Sequence, residues 1–250
     1  MKKILMAAAL LVAGVSFANA EDYNRVAVSF DNTHYGLNKN MKAEVGIDGY
    51  GTNGFGINYL HGFGVAENMF VETGLNLDFG WGSKELATES DDLGYGYSYT
   101  AKLLLKAKNI NMQLPVNFVY RVGVGDNMWV SPYVGINFKV NLVGKLKQDV
   151  DFTSNLPAEY NDEINEEIAE YATDWRNVYS DSKENMGDKD NTWNRFQMGW
   201  HIGCGFQYSK YYIGVQWGTD FIPAYSHKFE VGDKDKVSTS NLKVSLGYTF

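Results

Sequence analysis

Six ionisable side chains, Glu72, Asp78, Lys139, Arg195, His201 and Asp220, sit on the glycine-rich, polar side of segments that alternate between apolar and small or polar residues. Facing one enclosed space, such groups can do two things. They can pair into a salt-bridge and hydrogen-bond network that fills the space, because an unpaired charge in a low-dielectric interior is costly. Alternatively, they can line a narrow ion path or gate. Other chemistry is less well supplied. Ser226-His227 sets a nucleophile beside a base, but neighbours on a strand point to opposite faces, so the pair lacks the geometry of an activated serine unless a loop rearranges it. Asp188 with Asp190, and Asp233 with Asp235 in a similar Gly-Asp-Lys-Asp stretch, are candidate calcium ligands without the full spacing of a calcium-binding loop. His34, His61 and His201 fall on separate segments, and the single Cys204 excludes an internal disulfide framework and a thiolate metal site. No metal centre, cofactor or phosphate-binding glycine loop is expected.

The elements that must position these groups are strands. Only 4 Pro, but 26 Gly, 17 Tyr and 14 Phe, suit pleated structure better than helices. In the final segment Leu242, Val244, Leu246, Tyr248 and Phe250 alternate with Lys243, Ser245, Gly247 and Thr249. The same period of two runs through 55–65, 69–81, 110–120, 130–142, 196–208 and 211–221, with a shorter first strand at Val26, Val28 and Phe30, for eight strands in all. A bulge near Lys106 to Asn109 is predicted, because apolar residues from Tyr97 to Ala107 change parity there. Tight turns at Glu67-Asn68, Gly125-Asp126-Asn127 and Ser209-Lys210 alternate with long loops at roughly 35–53, 83–95, 149–191 and 226–237.

Volume decides which face points outward. The apolar faces carry about forty mostly bulky residues, more than the interior of an eight-stranded barrel can hold, while the opposite faces are rich in Gly. The chain is therefore read as an all-β, eight-stranded antiparallel up-and-down transmembrane β-barrel with its apolar side in lipid, short periplasmic turns and long extracellular loops. Tyr23, Trp81, Trp129, Trp193, Tyr211, Tyr212, Phe221 and Tyr225 are predicted to form aromatic girdles at the two interfaces, joined by His34, while His61 lies at the lipid edge. Residues 1–20 read as a secretory signal peptide, with Lys2 and Lys3 before an apolar run and Ala18-Asn19-Ala20 as the cleavage pattern; 21–250 form the barrel domain. An acidic balance argues against nucleic acid as a partner.

Segment 149–192 carries 13 acidic and 3 basic residues, the whole charge excess of the barrel domain. Ile164, Ile168, Tyr171 and Trp175, behind Pro157, predict an amphipathic helix against the rim or a partner. Such a loop suits contact with ions, glycans, proteins or the cell envelope, or simply a solvated surface.

Asn111-Met112-Gln113-Leu114-Pro115-Val116-Asn117, Ser131-Pro132-Tyr133-Val134-Gly135-Ile136-Asn137 and Leu242 to Phe250 resemble the outer membrane protein β-barrel domain of porin-family proteins in gram-negative anaerobes. The resemblance covers most of the chain apart from the loops, and implies an eight-stranded barrel in the outer membrane without implying a reaction. Leu246, Tyr248 and Phe250 look like the signal that the outer-membrane assembly machinery recognises. The functional expectation is a surface-exposed barrel in outer-membrane lipid, interacting with an extracellular ligand or protein through its acidic loop. A narrow porin for small solutes or ions is the alternative, and a lipid-modifying enzyme the second.

Overall fold

A computed structural model describes residues 20–158, 160, 161, 164, 168, 170–179, 192–228 and 234–250. Among these, eight long strands close on themselves: β1 (Tyr23–Leu37), β2 (Gly49–Ala66), β3 (Met69–Gly94), β4 (Tyr97–Tyr120), β6 (Met128–Ser154), β9 (Phe196–Tyr208), β10 (Tyr211–Asp220) and β12 (Lys234–Thr249). Short pieces complete the set: helix α1 (Lys39–Val45), β5 (Val122–Gly125), β7 (Arg176–Asn177), β8 (Thr192–Trp193) and β11 (Tyr225–Lys228). Each long strand pairs antiparallel with the next, and β12 returns to β1 with Val28 opposite Leu246. Reciprocal bonds between the backbones of Asn24 and Phe250 pin the seam at its lower end. Closure leaves no long unpaired edge, which a barrel crossing hydrocarbon requires.

The faces are inverted relative to a water-soluble protein. Among the described residues, 21 buried side chains are polar or charged and 9 are hydrophobic, whereas Val28, Ile57, Leu246 and some thirty other large apolar residues lie exposed. Water would penalise that outer surface at about 25 cal/mol for each Å² of apolar area, so hydrocarbon is the solvent it fits. Eleven residues of β4, Ile110 to Tyr120, span the belt; at about 3.4 Å per residue and a tilt of about 40° this rises roughly 28 Å, close to the expected apolar band. No helix among the described residues is long and apolar enough to cross a membrane.

Tight turns fall where the sequence puts them. Asn127 and Ser209 take the left-handed conformation at φ 57° and 52°, and the Ser209 N–H donates to the Asn127 carbonyl, tying adjacent turns together. The other ends differ from expectation. Predicted loop 83–95 is the continuation of β3, which meets β4 at Gly94-Tyr95-Gly96, all with positive φ. β1 runs on to Leu37, and the first loop holds α1, capped by the Asn38 side chain and by Gly46 at φ 77°. β6 reaches Ser154, well into the segment read as loop. These strands outlast the apolar pattern because hydrogen bonding between neighbours continues after lipid contact ends.

The predicted bulge at Lys106 to Asn109 is absent, since β4 keeps one register with β3 from Met69↔Tyr120 to Glu85↔Leu104. The extra residue is Leu142 on β6, where the pairing steps from Asn111↔Asn141 to Ile110↔Val143. Leu103, Leu105 and Ala107 occupy odd positions because that face, inward throughout β4, is covered above the lumen rather than by lipid. The long acidic segment is helical at Ala158, Tyr160, Asn161, Ile164 and Ile168. Tyr171 lies in the turn that ends this stretch and Trp175 beyond it, so the predicted stripe is shorter than its spacing suggested.

Candidate functional site

The lumen forms where the odd positions of β1 and β12 meet the inward residues of the other strands. At its periplasmic end Arg25 approaches Glu72, with Nη2 3.1 Å from Oε1, and its guanidinium lies 3.7 Å from the centroid of the Tyr212 ring. The Tyr23 hydroxyl also donates to Glu72, and Asn117 donates from Nδ2 to the other carboxylate oxygen at 3.1 Å. Because Asn117 thus turns its amide toward Glu72, its Oδ1 accepts from His201 Nε2 at 2.6 Å, which selects the Nε2–H tautomer.

In the middle layer Lys243 lies 3.2 Å from Asp31 and 3.0 Å from Asp78. Ser29 donates to Asp31 at 2.8 Å and Gln113 to Asp78 at 2.7 Å. Nearer the outer mouth Lys139 pairs with Asp220, which also accepts from Thr239; Gln197 and Asn141 extend this cluster. Three cations therefore meet four carboxylates, and each charge has a partner. Breaking one such buried pair typically costs about 3–5 kcal/mol, because the remaining charge is stranded.

Small residues make room for this crowding. The Tyr212 ring lies over the cross-strand pair Gly205 and Gly214, where a Cβ on Gly205 would come within 2.9 Å of its Cζ. Among the described residues, three cavities between lumen side chains measure about 10, 20 and 30 Å³, room for a water or two apiece. A rim of Tyr35 stacked on Tyr50 at 4.7 Å, with Trp193 5.4 Å from Tyr225, lines the outer end.

Glu72, Asp78, Lys139, His201 and Asp220 all lie within this lumen. Arg195 does not. It precedes β9, is exposed, and sets its guanidinium 4.8 Å from the Tyr179 ring, because the inward alternation starts only at Gln197. Arg25, Asp31 and Lys243 are the residues sequence reasoning left out of the network. Parity could have found them: Arg25 and Asp31 continue the polar side of the first strand past Val26 and Phe30, and Lys243 stands on the polar face of the last. Five girdle expectations also fail, since Trp129 pairs with buried Gln207 on the inward face, and Tyr225 pairs there with buried Val237 and with Trp193. Tyr23 and Tyr212 point inward to Glu72 and Arg25, whereas Trp81, Tyr211 and Phe221 are exposed on the outside. Exposed His34 and half-buried His61, 3.0 Å from Asn24, lie near opposite ends of the barrel wall.

Ser226 and His227 are consecutive in β11 and so project to opposite faces; Asp235 stands opposite His227. Asp188, Asp190 and Asp233 lie outside the described residues, as do residues 1–19 of the segment read as a signal peptide. Among the described residues no three His, Cys, Asp or Glu side chains gather as a metal site. Leu246, Tyr248 and Phe250 line the outer face at the seam, with Tyr248 and Phe250 stacked at 6.4 Å.

No curated protein matches the chain by sequence. Among solved structures, the chain is similar to Ail, the attachment invasion locus protein of Yersinia pestis, in complex with the heparin analogue sucrose octasulfate, at 10% identity and a TM-score of 0.36 over 92% of this chain and 100% of that one. It is similar too to the outer membrane protein OprG from Pseudomonas aeruginosa, at 11% identity and a TM-score of 0.38 over 92% and 96%. Neisserial surface protein A matches at 10% identity and a TM-score of 0.36 over 90% and 97%. A family model matches residues 5–250, nearly the full length, and the chain belongs to the outer membrane protein beta-barrel domain family.

Proposed function

We propose that this outer-membrane barrel is a closed anchor that holds an extracellular ribbon and the acidic segment 149–192 toward a ligand or protein outside the cell. The observation that carries this reading is the contrast between its two ends. Layers of paired charges fill the lumen, while β3, β4 and β6 continue to Gly94, Tyr97 and Ser154, far beyond the apolar belt. Rigid strands projecting into solvent present a surface; a lumen filled with ion pairs resists passage. With 13 acidic against 3 basic residues, the segment 149–192 suits a partner with cationic groups or bound cations. Leu246, Tyr248 and Phe250, an apolar aromatic row on the terminal strand, suit recognition by the assembly machinery.

The narrow-porin reading requires the Lys139–Asp220 and Lys243 pairings to open. A lipid-modifying enzyme requires Ser226 and His227 to share a face, which β11 opposes. Planar-bilayer recording tests the choice. The closed anchor passes no stepwise current in its native form, whereas unitary currents whose ion selectivity changes on Lys139→Gln would establish the pore. Binding of a cationic peptide, reduced at least tenfold when segment 155–175 is replaced by a Gly/Ser linker, tests the acidic surface separately.

A further inference from the structure

Just above the apolar belt, on one side of the barrel, the outer face carries four lysines in two rows. Lys108 stands directly opposite Lys145, and Lys106 directly opposite Lys147, across the β4–β6 ladder. The inward side of β4 is fixed by buried Ala107 and Asn111, so its even positions face outward; the Leu142 bulge brings the odd positions of β6 to the same side. Like charges directly opposed on one sheet face destabilise the pair. Relief within the described residues is small. Asp149 bonds both Lys106 and Lys147, while neither Lys108 nor Lys145 has a carboxylate partner there, and both are exposed.

The surroundings identify the level and the occupant. Trp81 stands beside Lys108 across the β3–β4 ladder and is 52% exposed. On the other flank the Trp175 ring lies 4.4 Å from Lys108 Nζ. Tryptophan flanking cations directly above an apolar belt is the arrangement of a membrane headgroup region, with the lysine stems on apolar surface and the ammonium groups in the polar layer. Past Trp81 the same ladder row continues with Asn53 and Asn32, joined by their own 2.7 Å hydrogen bond. Uncharged residues thus bound the four lysines on the β3 side, as they would bound a site for a discrete headgroup.

We propose that Lys106, Lys108, Lys145 and Lys147, framed by Trp81 and Trp175, bind the phosphate groups of an anionic glycolipid in the outer leaflet. Phosphate oxygens supply the charge that the opposed lysines lack, and the acyl chains continue down the apolar wall below Ile110 and Val143.

The test uses the whole chain extracted in mild detergent from outer membranes, stripped of lipid and offered bis-phosphorylated lipid A or the same lipid with its phosphates removed, with bound lipid counted by native mass spectrometry. The native chain retains the phosphorylated lipid and releases the other. Lys108→Gln with Lys145→Gln weakens retention about 30-fold, at roughly fivefold for each cation near a charged lipid surface. Lys39→Gln with Lys42→Gln, on α1 of another loop, leaves retention unchanged. Heat-dependent gel mobility verifies that each variant is folded; should the double variant fail, Lys145→Gln alone gives the fivefold loss. Equal retention of both lipids, an unaltered affinity in the folded lysine variant, or an equal loss in the α1 variant overturns the proposal.

Discussion

Lys243 of the last strand and Asp78 of the third face each other across the lumen, Nζ to Oδ1 3.0 Å, although β1 and β2 stand between their strands in the wall. A bond of this kind ties opposite sides of the barrel, which the ladder hydrogen bonds cannot do, and Lys243 is 4% exposed. With Asp31 on its other side, it neutralises two carboxylates at once.

Lys243→Ala therefore leaves Asp31 and Asp78 without their shared cation, and unfolding in detergent by urea or heat should show a loss of about 3–5 kcal/mol. Adding Asp31→Asn and Asp78→Asn to the same chain should restore most of that loss, since the stranded charges are then gone. If the single and triple variants unfold together, the cost is one of packing and not of unpaired charge.

Tyr212 lies over Gly205 and Gly214, with Arg25 3.7 Å from its ring centroid. A Cβ on Gly214 would come within 2.7 Å of Tyr212 Cζ, so Gly214→Val must push the ring toward Arg25, at about 1–3 kcal/mol for an overpacked interior. In the background of Tyr212→Ala the same substitution should cost much less. Additive losses in the two backgrounds would mean that the ring does not set the requirement for glycine.

Above the membrane, hydrogen bonds from Lys106 and then Lys147 hold the Asp149 carboxyl below the usual carboxylate range. A carboxylate whose pKa falls on folding contributes stability above its unfolded value, near 3.9, and loses it as pH drops through the folded value. The effect is modest, because the pair is partly solvated and screened by salt. Amide exchange across Leu104↔Asp149 should thus speed up as pH falls below about 4, beyond the intrinsic trend. Asp149→Asn should remove that excess; an excess unchanged in the variant would assign it to another carboxylate.

Barrel topology and the inside-out distribution of side chains were legible in the sequence because a period of two survives wherever one face meets lipid. Val26, Val28 and Phe30 gave β1 its outward side, and Lys243 its place on the inward side. Strand ends were less legible: once β3 and β4 leave the belt, both faces meet water or loops, so polarity no longer alternates even though hydrogen bonding does. The same physics hid the network's partners. Parity assigns Glu72 and Arg25 to the lumen, but only the register, Tyr23↔Gly62 followed by Gly62↔Glu72, puts Tyr23 in the row of Glu72 and Arg25 two residues along from it. Arg195 was misplaced by one step, since alternation was extended past Phe196, where β9 begins.

The most direct test of the central claim, that the apolar face meets hydrocarbon, uses the natural Cys204, exposed on the outer face between Ile202 and Phe206. A small fluorophore is attached there and the barrel placed in vesicles. Lipids brominated along their acyl chains should quench the label strongly, and iodide added to the water should not. Efficient quenching by iodide with little effect of the brominated chains would contradict the account, because it would put this face in water.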